Sequence, residues 1–589
     1  MKFPRLQAAA VETGTYTAFG GYRHTPDAGG AQFYEMENLS GRAYPAVSPR
    51  PQRGKITALQ KPNGLFAKSG ICWVDGTKFY HNGVYRGEVS DGKKQFASMG
   101  AYVLIFPDKK YYHTVSQEFG SLEASFTTTG QAALTFSDAA GTQYTGQTIS
   151  AAAPANPSDG DFWADTGSTP NTLRVYSAQN AEWQAVATSH VKISAAGIGA
   201  LFSAYEGVTI SGCKNAAFNG EFVLTACSEN AIVVAGVLEE VTAQTDPLTI
   251  TRTVPDLDFV TESANRLWGC ASSTRRIYAS QLGNPKSWNA FSGLSTDSYA
   301  LTVGSDGDFT GVASHLGSVL FFKEDRIHKV YGTKPANYQV TDLCAPGVGK
   351  GSEKSLAAVE STLFYQGRDG VYAYEGAMPY RVSEDLGAVR YHSGVGGASG
   401  GRYYLSVCAE ASFDPYGISG SRKAAGTHLF VYDKRTLLWH REDAVRALGF
   451  AYTHGELYFL DADGNLWNTE GNLSLFEGGT AYCDSSVLES PVAWSAETGD
   501  LCSGLTERRY LERLQLTAAM EPGATLSVAV SCDSGAWETA ASLESNTLRT
   551  VAIPLLPKRC RLLRLRISGT GTVRLLALSR QLGEGSERG

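Results

Sequence analysis

Several features of large protein classes are missing from this chain. It contains no run of ~18 apolar residues, so no membrane-spanning helix is expected. Its start, Met1-Lys2-Phe3-Pro4-Arg5 leading into Gln7-Ala8-Ala9-Ala10, is too short for the apolar centre of a secretion signal. Positive charge is not in excess: 51 Lys and Arg face 58 Asp and Glu, a net charge of -7, which argues against a generally basic nucleic-acid coat. The ten cysteines, at 72, 213, 227, 270, 344, 408, 483, 502, 532 and 560, include no Cys-x-x-C and no histidine at zinc spacing, so no metal site is expected. In a reducing cytoplasm they read as small buried hydrophobes with free thiols. The Gly-rich stretches at 304–307 and 394–401 lack the Lys-Ser/Thr of a phosphate loop, so no nucleotide cofactor is expected.

What the chain does have is 64 Gly, 29 Tyr and 25 Phe in 589 residues, a composition suited to many short strands joined by turns. A single core rarely grows past ~250–300 residues, so two to four domains are expected. A degenerate repeat runs along most of the length: an apolar strand, a bend with charge or Gly, then an aromatic strand closing on Gly. Clear copies occupy 311–332, 358–376 and 447–471, the last carrying Asp461-Ala462-Asp463-Gly464 at its bend. Weaker copies lie at 63–80, 99–112, 265–280 and 402–433. Strong copies recur roughly every 40–50 residues, the period of a four-stranded propeller blade. A β-sandwich also offers many short strands, but a tandem aromatic-Gly repeat favours blades stacked radially.

The fold class expected is therefore all-β: a propeller of about six to seven blades, an inserted small β domain and a C-terminal jelly-roll-like sandwich. The boundaries read as an extended N-terminal arm at 1–56, first blades at 57–116, the insertion at 117–255, remaining blades at 256–478 and the sandwich at 479–589. The insertion is rich in Ala, Ser, Thr and Gly, and Asn219-Gly220 in it suggests a tight hairpin.

Few residues suggest chemistry. Asp306 with Asp308, and Asp461 with Asp463, stand at i, i+2, but a glycosidase needs carboxyls facing across ~5–10 Å. The turn Ser531-Cys532-Asp533-Ser534-Gly535-Ala536-Trp537 approaches a sialidase turn motif, one residue short and present once. No catalytic residue is expected, and the chain reads as a non-enzyme. The densest positive segment holds Lys558, Arg559, Arg561, Arg564 and Arg566. It suits an intersubunit or DNA-facing surface, or equally an edge strand charged against aggregation. Arg50 and Arg53, beside Pro49 and Pro51, lie in an extended segment suited to packing on a neighbour. Phe162, Trp163, Tyr176 and Trp183 offer either a glycan platform or the core of the inserted domain.

Motif order adds a resemblance. The run Phe19-Gly20-Gly21-Tyr22, then Met36-Glu37-Asn38-Leu39-Ser40 and Tyr44-Pro45, resembles the opening of bacteriophage DNA-stabilisation or tail-hub proteins. Arg266-Leu267-Trp268-Gly269 with Leu282-Gly283-Asn284-Pro285 and Trp288 is similar to a recurring blade of that group, as is Leu320-Phe321-Phe322-Lys323-Glu324-Asp325-Arg326-Ile327. The terminal Trp494, Glu497-Thr498-Gly499 and Arg559-to-Gly571 residues resemble the group's closing sandwich. The likeness spans about three-quarters of the chain and misses 117–255. It implies a virion protein of the tail hub, nozzle or head–tail junction, assembled in the bacterial cytoplasm as a ring (a hexamer is implied). Neighbouring connector or tail proteins would flank it and double-stranded DNA would pass through, an acidic lining letting DNA slide. Alternatives are a receptor-binding tail protein whose insertion grips a host-surface glycan, and a propeller glycosidase.

Overall fold

The computed structural model describes residues 11–144, 147–169, 171–238, 242–413, 422–423, 425–471, 473, 487–502, 509–544, 548–554 and 558–584. Among these residues, helix is confined to five short 3-10 turns, and the remaining regular structure is strand. Seven antiparallel sheets have the blade pattern of four strands in sequence. In chain order they occupy 62–88, 95–121, 259–302, 311–344, 357–381, 391–443 and 447–468, the last completed by Gly54–Ala58. The fold is a β-propeller, as the repeat predicts.

The repeat has a simple physical origin. Second strands such as Arg266–Ala271, Ser318–Lys323 and Thr362–Gln366 are buried along their whole length. A strand flanked on both edges and packed on both faces reads as a continuous apolar run rather than an alternating one. The outermost strand Gln339–Cys344 is largely exposed and correspondingly polar. Bends follow the same logic. Asp461 accepts from the Asn465 amide at 2.7 Å and from the Trp467 indole at 2.7 Å, fixing the hairpin. Gly464 follows at φ +88°, where an added Cβ would lie 2.1 Å from the Leu59 carbonyl oxygen.

The chain divides into two compact units, 1–93 with 322–327 and 342–589, and 94–321 with 328–341. In the first, the opening strands of the blades at 357–381, 391–443, 447–468 and 62–88 lie side by side in that order. In the second, those at 95–121, 259–302 and 311–344 do so.

The first unit also holds the sandwich. One sheet runs Val11–Tyr16, Val573–Glu584, Arg509–Met520, Leu548–Ile553, with Arg559–Cys560 also on Arg509–Met520. The other runs Phe33–Glu37, Ala493–Thr498, Leu563–Thr570, Thr525–Cys532, Glu538–Glu544. Alternating residues such as Leu526, Val528, Leu565 and Ile567 enter a common core with Leu514, Leu516 and Leu578. Residues 1–56, read as an extended arm, behave differently from that reading over their described part. Val11–Tyr16 and Phe33–Glu37 cover sandwich edges, and Gly54–Ala58 completes a blade. An uncovered sheet edge exposes unpaired amides, which such docking satisfies.

The second unit carries the insertion. Eight of its strands form one connected ladder, while Gln147–Ser150, Phe162–Asp165, Thr172–Ser177 and Glu182–Ala185 form a small separate sheet. Leu134, Phe136, Val191, Ile193, Leu224 and Ile250 form its core. Ala124–Thr127 pairs with Thr249–Arg252, so the insertion leaves and returns on adjacent strands. Asn219-Gly220 is not the expected hairpin. Asn219 caps the 3-10 turn Ala216–Phe218, and its side chain bonds both the amide and carbonyl of Cys213.

Candidate functional site

Burial and pairing place the sequence candidates in different settings. Arg50 and Arg53 are held inside the first unit, with side chains only 4% and 3% exposed. Arg50 forks onto Glu489 at 2.7 and 2.9 Å, and Arg53 reaches Asp443 at 2.5 Å and Glu442 at 2.7 Å. The extended Pro-flanked segment expected to pack on a neighbour packs on its own chain instead. Burial by itself would raise the Asp443 carboxyl, but Arg53 and then Arg50 hold it below the ordinary carboxylate value.

The basic strand is likewise largely committed. Arg564 donates to Glu497 at 2.8 Å and lies 4.9 Å from the Tyr34 ring centroid. Arg566 reaches Glu497 at 2.6 Å and lies 4.2 Å over the Trp537 ring. Lys558 pairs with Glu538 at 2.5 Å. Glu497 and Arg566 face each other across adjacent strands, a geometry invisible in a linear run of arginines. Arg559 and Arg561 are the two exposed arginines of this segment.

The proposed aromatic platform divides between two faces of its small sheet. Phe162 stacks on Tyr144 at 4.1 Å, while Trp163 and Tyr176 both meet Trp183 edge-on at 5.5 and 5.4 Å. Trp163 is buried, its indole donates to the Ser150 carbonyl at 3.0 Å, and Arg174 covers its ring at 5.6 Å. These contacts are those of a small core, not of a flat open platform.

A better-formed site lies elsewhere in the second unit, where the insertion meets the long connection 280–298 of the blade at 259–302. Arg266 organises that connection by donating to the carbonyls of Ser280 at 2.9 Å, Asp297 at 2.5 Å and Ser295 at 2.8 Å. The Asp297 carboxylate accepts from the amides of Ser292 at 2.5 Å and Leu294 at 3.0 Å. Three bonds then join the connection to the insertion: Gln281 to the Tyr205 carbonyl at 2.9 Å, Asn284 to Glu206 at 3.1 Å, and the Gly207 amide to Ser287 at 3.2 Å. Gly207 is required by close approach, since a Cβ there would stand 2.4 Å from Asn289.

Between these segments is a cleft of about 550 Å³. Its rim is apolar and open: Tyr205, Phe291 and Leu294 are 58%, 56% and 52% exposed. Its lining includes Glu221, His190 and Asn289, whose buried side-chain oxygen has no hydrogen-bond partner. Burial outweighs the pull of Asp138 and lowers the His190 pKa, favouring the neutral ring. Tyr205 sits at φ 68°, held there by the hydrogen bond that its amide donates to the Leu224 carbonyl and by the one that its carbonyl accepts from the Gln281 side chain. A bulky residue in that region costs on the order of 1–3 kcal/mol and persists where the surroundings impose it. Sequence reasoning did not find this cleft. The one available signal was a 280–298 connection too long for a hairpin and carrying Trp288, Phe291 and two leucines.

The first members of the two carboxylate pairs stand in different settings. Asp306 is exposed and pairs with Arg275 at 3.4 Å, whereas Asp461 is occupied by its own hairpin. In the turn at 531–537, the Asp533 carboxylate accepts the amides of Arg561 and Leu562. Among the described residues, no group of three or more His, Cys, Asp or Glu is placed to hold a metal ion, and no helix is long and apolar enough to cross a membrane.

No protein-family model and no curated protein matches the chain. Solved structures that it resembles include an exo-β-1,3-galactanase of Phanerochaete chrysosporium, at 8% identity and TM-score 0.20, covering 55% of this chain and 94% of that one. An endosialidase of phage phi92 is 9% identical with TM-score 0.20, covering 77% of this chain and 64% of that one. BamB of Moraxella catarrhalis is 10% identical with TM-score 0.20, covering 47% and 78% respectively.

Proposed function

We propose that this chain is a non-enzymatic bacteriophage virion protein of the tail or head–tail junction. Its propeller presents a contact surface at the foot of the insertion, through which it meets other virion subunits in a ring around the DNA path. The observation that carries the assembly reading is the exposed apolar rim of Tyr205, Phe291 and Leu294 around one cleft. Large apolar side chains gathered on one surface of a well-packed protein mark a contact site. The phage setting rests on the motif order described above. Binding is favoured over hydrolysis because Asp297 is tied to backbone amides, leaving Glu221 without a second available carboxylate in the cleft.

Electron microscopy of purified particles, with the chain's own density fitted, tests this reading. A closed ring on the tail axis with 280–298 at a subunit boundary supports it, and absence from particles overturns it. In solution, Phe291→Asp should abolish self-association seen by analytical ultracentrifugation while leaving the circular dichroism spectrum unchanged.

A second reading draws on the same cleft. Unpartnered Asn289 oxygen and Glu221 beside exposed Tyr205 and Phe291 are the groups that recognise a sugar, hydroxyls on the polar side and a pyranose face on the ring. Host-glycan binding that survives Trp183→Ala but is lost in Phe291→Ala favours receptor recognition through this cleft.

A further inference from the structure

Three thiols meet at one edge of the sandwich. Cys532 ends the strand Thr525–Cys532 in one sheet, and Cys560 belongs to Arg559–Cys560 in the other. Cys502 follows the strand Ala493–Thr498, in a turn where its amide donates to Asp500 at 2.9 Å. Backbone bonds bring their segments together: the Asp533 amide donates to the Leu562 carbonyl at 2.8 Å, the Arg561 amide to the Asp533 carboxylate at 2.7 Å, and the Leu501 amide to the Leu563 carbonyl at 2.8 Å, which sets the Cys560 thiol beside both other sulfurs. All three are free cysteines.

Their exposure is graded. Cys560 and Cys502 are buried, whereas Cys532 is half-buried and lines a cleft of about 550 Å³. Val530, Ala540 and Pro554 give that cleft an apolar wall, and Lys558 and Glu538 lie at its polar side. The Cys560 S–H, opposed by burial and helped by the Lys558 ammonium, brings the Cys532 thiol down to about 7. Cys560 itself is pushed up by its two sulfur partners and remains protonated. The accessible sulfur is thus the better nucleophile, with a protonated thiol directly behind it. Packing alone does not call for this arrangement, since small hydrophobes fill such positions equally well.

We propose that Cys532 and Cys560 form a thiol–disulfide exchange site that takes a small disulfide of the glutathione class through this cleft. The Cys532 thiolate attacks one sulfur of the disulfide. That S–S bond breaks, and the first leaving thiolate takes a proton from water. The Cys560 sulfur then attacks the Cys532 sulfur and expels the second thiolate, which takes up the proton that Cys560 gives up. Two protein thiols are oxidised and one small disulfide is reduced to two thiols. The product is a covalent link between the two sheets.

Incubating the full chain with oxidised glutathione, followed by peptide mass mapping, tests the proposal. Wild type should give a Cys532–Cys560 cross-linked peptide and retain no glutathione there. Cys560→Ser should stop at a Cys532–glutathione adduct. Initial modification of Cys532 should exceed that of exposed Cys344 by on the order of tenfold at neutral pH, following its larger thiolate fraction. The wild-type map needs no variant to fold. Persistent glutathione on wild-type Cys532, a Cys502–Cys560 link with Cys532 unmodified, or modification of Cys344 alone each overturns the proposal.

Discussion

Two strand pairings close the two compact units, and each brings a buried arginine with it. In the first unit Gly54–Ala58 completes the blade at 447–468 and seats Arg53 against Glu442 and Asp443. In the second, Thr249–Arg252 closes the insertion on Ala124–Thr127 and seats Arg252 against Glu206 at 2.7 Å, with exposures of 4% and 3%. The difference lies in what else each guanidinium touches. Arg252 also donates to the carbonyls of Leu122 and Leu201, both at 3.0 Å, so neutral acceptors share its charge. Both guanidinium groups lie over a ring, Arg252 on Phe202 at 5.8 Å and Arg53 on Phe459 at 5.1 Å, but Arg53 has two carboxylates and an Nε with no partner. Arg50 and Glu489 extend this into a five-member network with three acids and two bases. Closing a blade therefore depends on charge compensation, while closing the insertion depends more on directional bonds to the backbone.

Sharpening this contrast begins with Arg53→Met. It leaves Glu442 buried without its cation and Asp443 with only Arg50, at 3.6 Å, and should cost about 3–5 kcal/mol, read as a lower thermal midpoint of the first unit. Acid should act next, and on the same unit. His440 is wholly enclosed, and burial, outweighing Asp433, lowers its pKa to about 4. Its folded value lies below its unfolded one, so stability is complete above the ordinary imidazole value and falls as pH drops from about 6.5 to 4. The loss is roughly 3 kcal/mol. Replacing His440 by Gln should flatten that part of the pH–stability curve. The lowered Asp443 and Glu489 carboxyls add a further loss as pH falls through their own folded values.

Glu206→Gln keeps most hydrogen bonds of the insertion closure and removes only the opposing charge. We expect about 1–3 kcal/mol, smaller than Arg53→Met; an equal or larger cost would break the distinction between the two closures. At the bottom of the scale, Lys61→Ala removes an exposed pair with Asp91 at 3.3 Å and should leave the melting curve unchanged.

How much was legible beforehand follows the same division. The blade repeats at 311–332, 358–376 and 447–471 fall on Gly311–Tyr331, Ala357–Tyr374 and Ala447–Asn468 strands because hairpin pairing is local and each apolar run with its bend is written in consecutive residues. Arg50 and Arg53 were visible as residues but not as a network, since their acids stand 390 and 439 residues away. Arg564 and Arg566 read as a free basic stripe because nothing in their neighbourhood reveals Glu497 on the adjoining strand. The cleft by Tyr205 was hidden for a related reason: half of it is insertion and half is a blade connection, and only folding brings them together. Cys483 lies outside the described residues, and the three clustered thiols looked like unrelated cysteines.

The strand Gly54–Ala58 also sets a timetable. A ribosome exposes Arg53 long before Asp443 exists, and at 5–20 residues per second the 390 intervening residues take roughly 20–80 s to appear. Throughout that interval the second unit, nearly continuous in the chain, can finish, while the first holds an unpaired strand and an uncompensated arginine. Residues 53–58 thus find their place only once synthesis has passed Asp443 and Asn468.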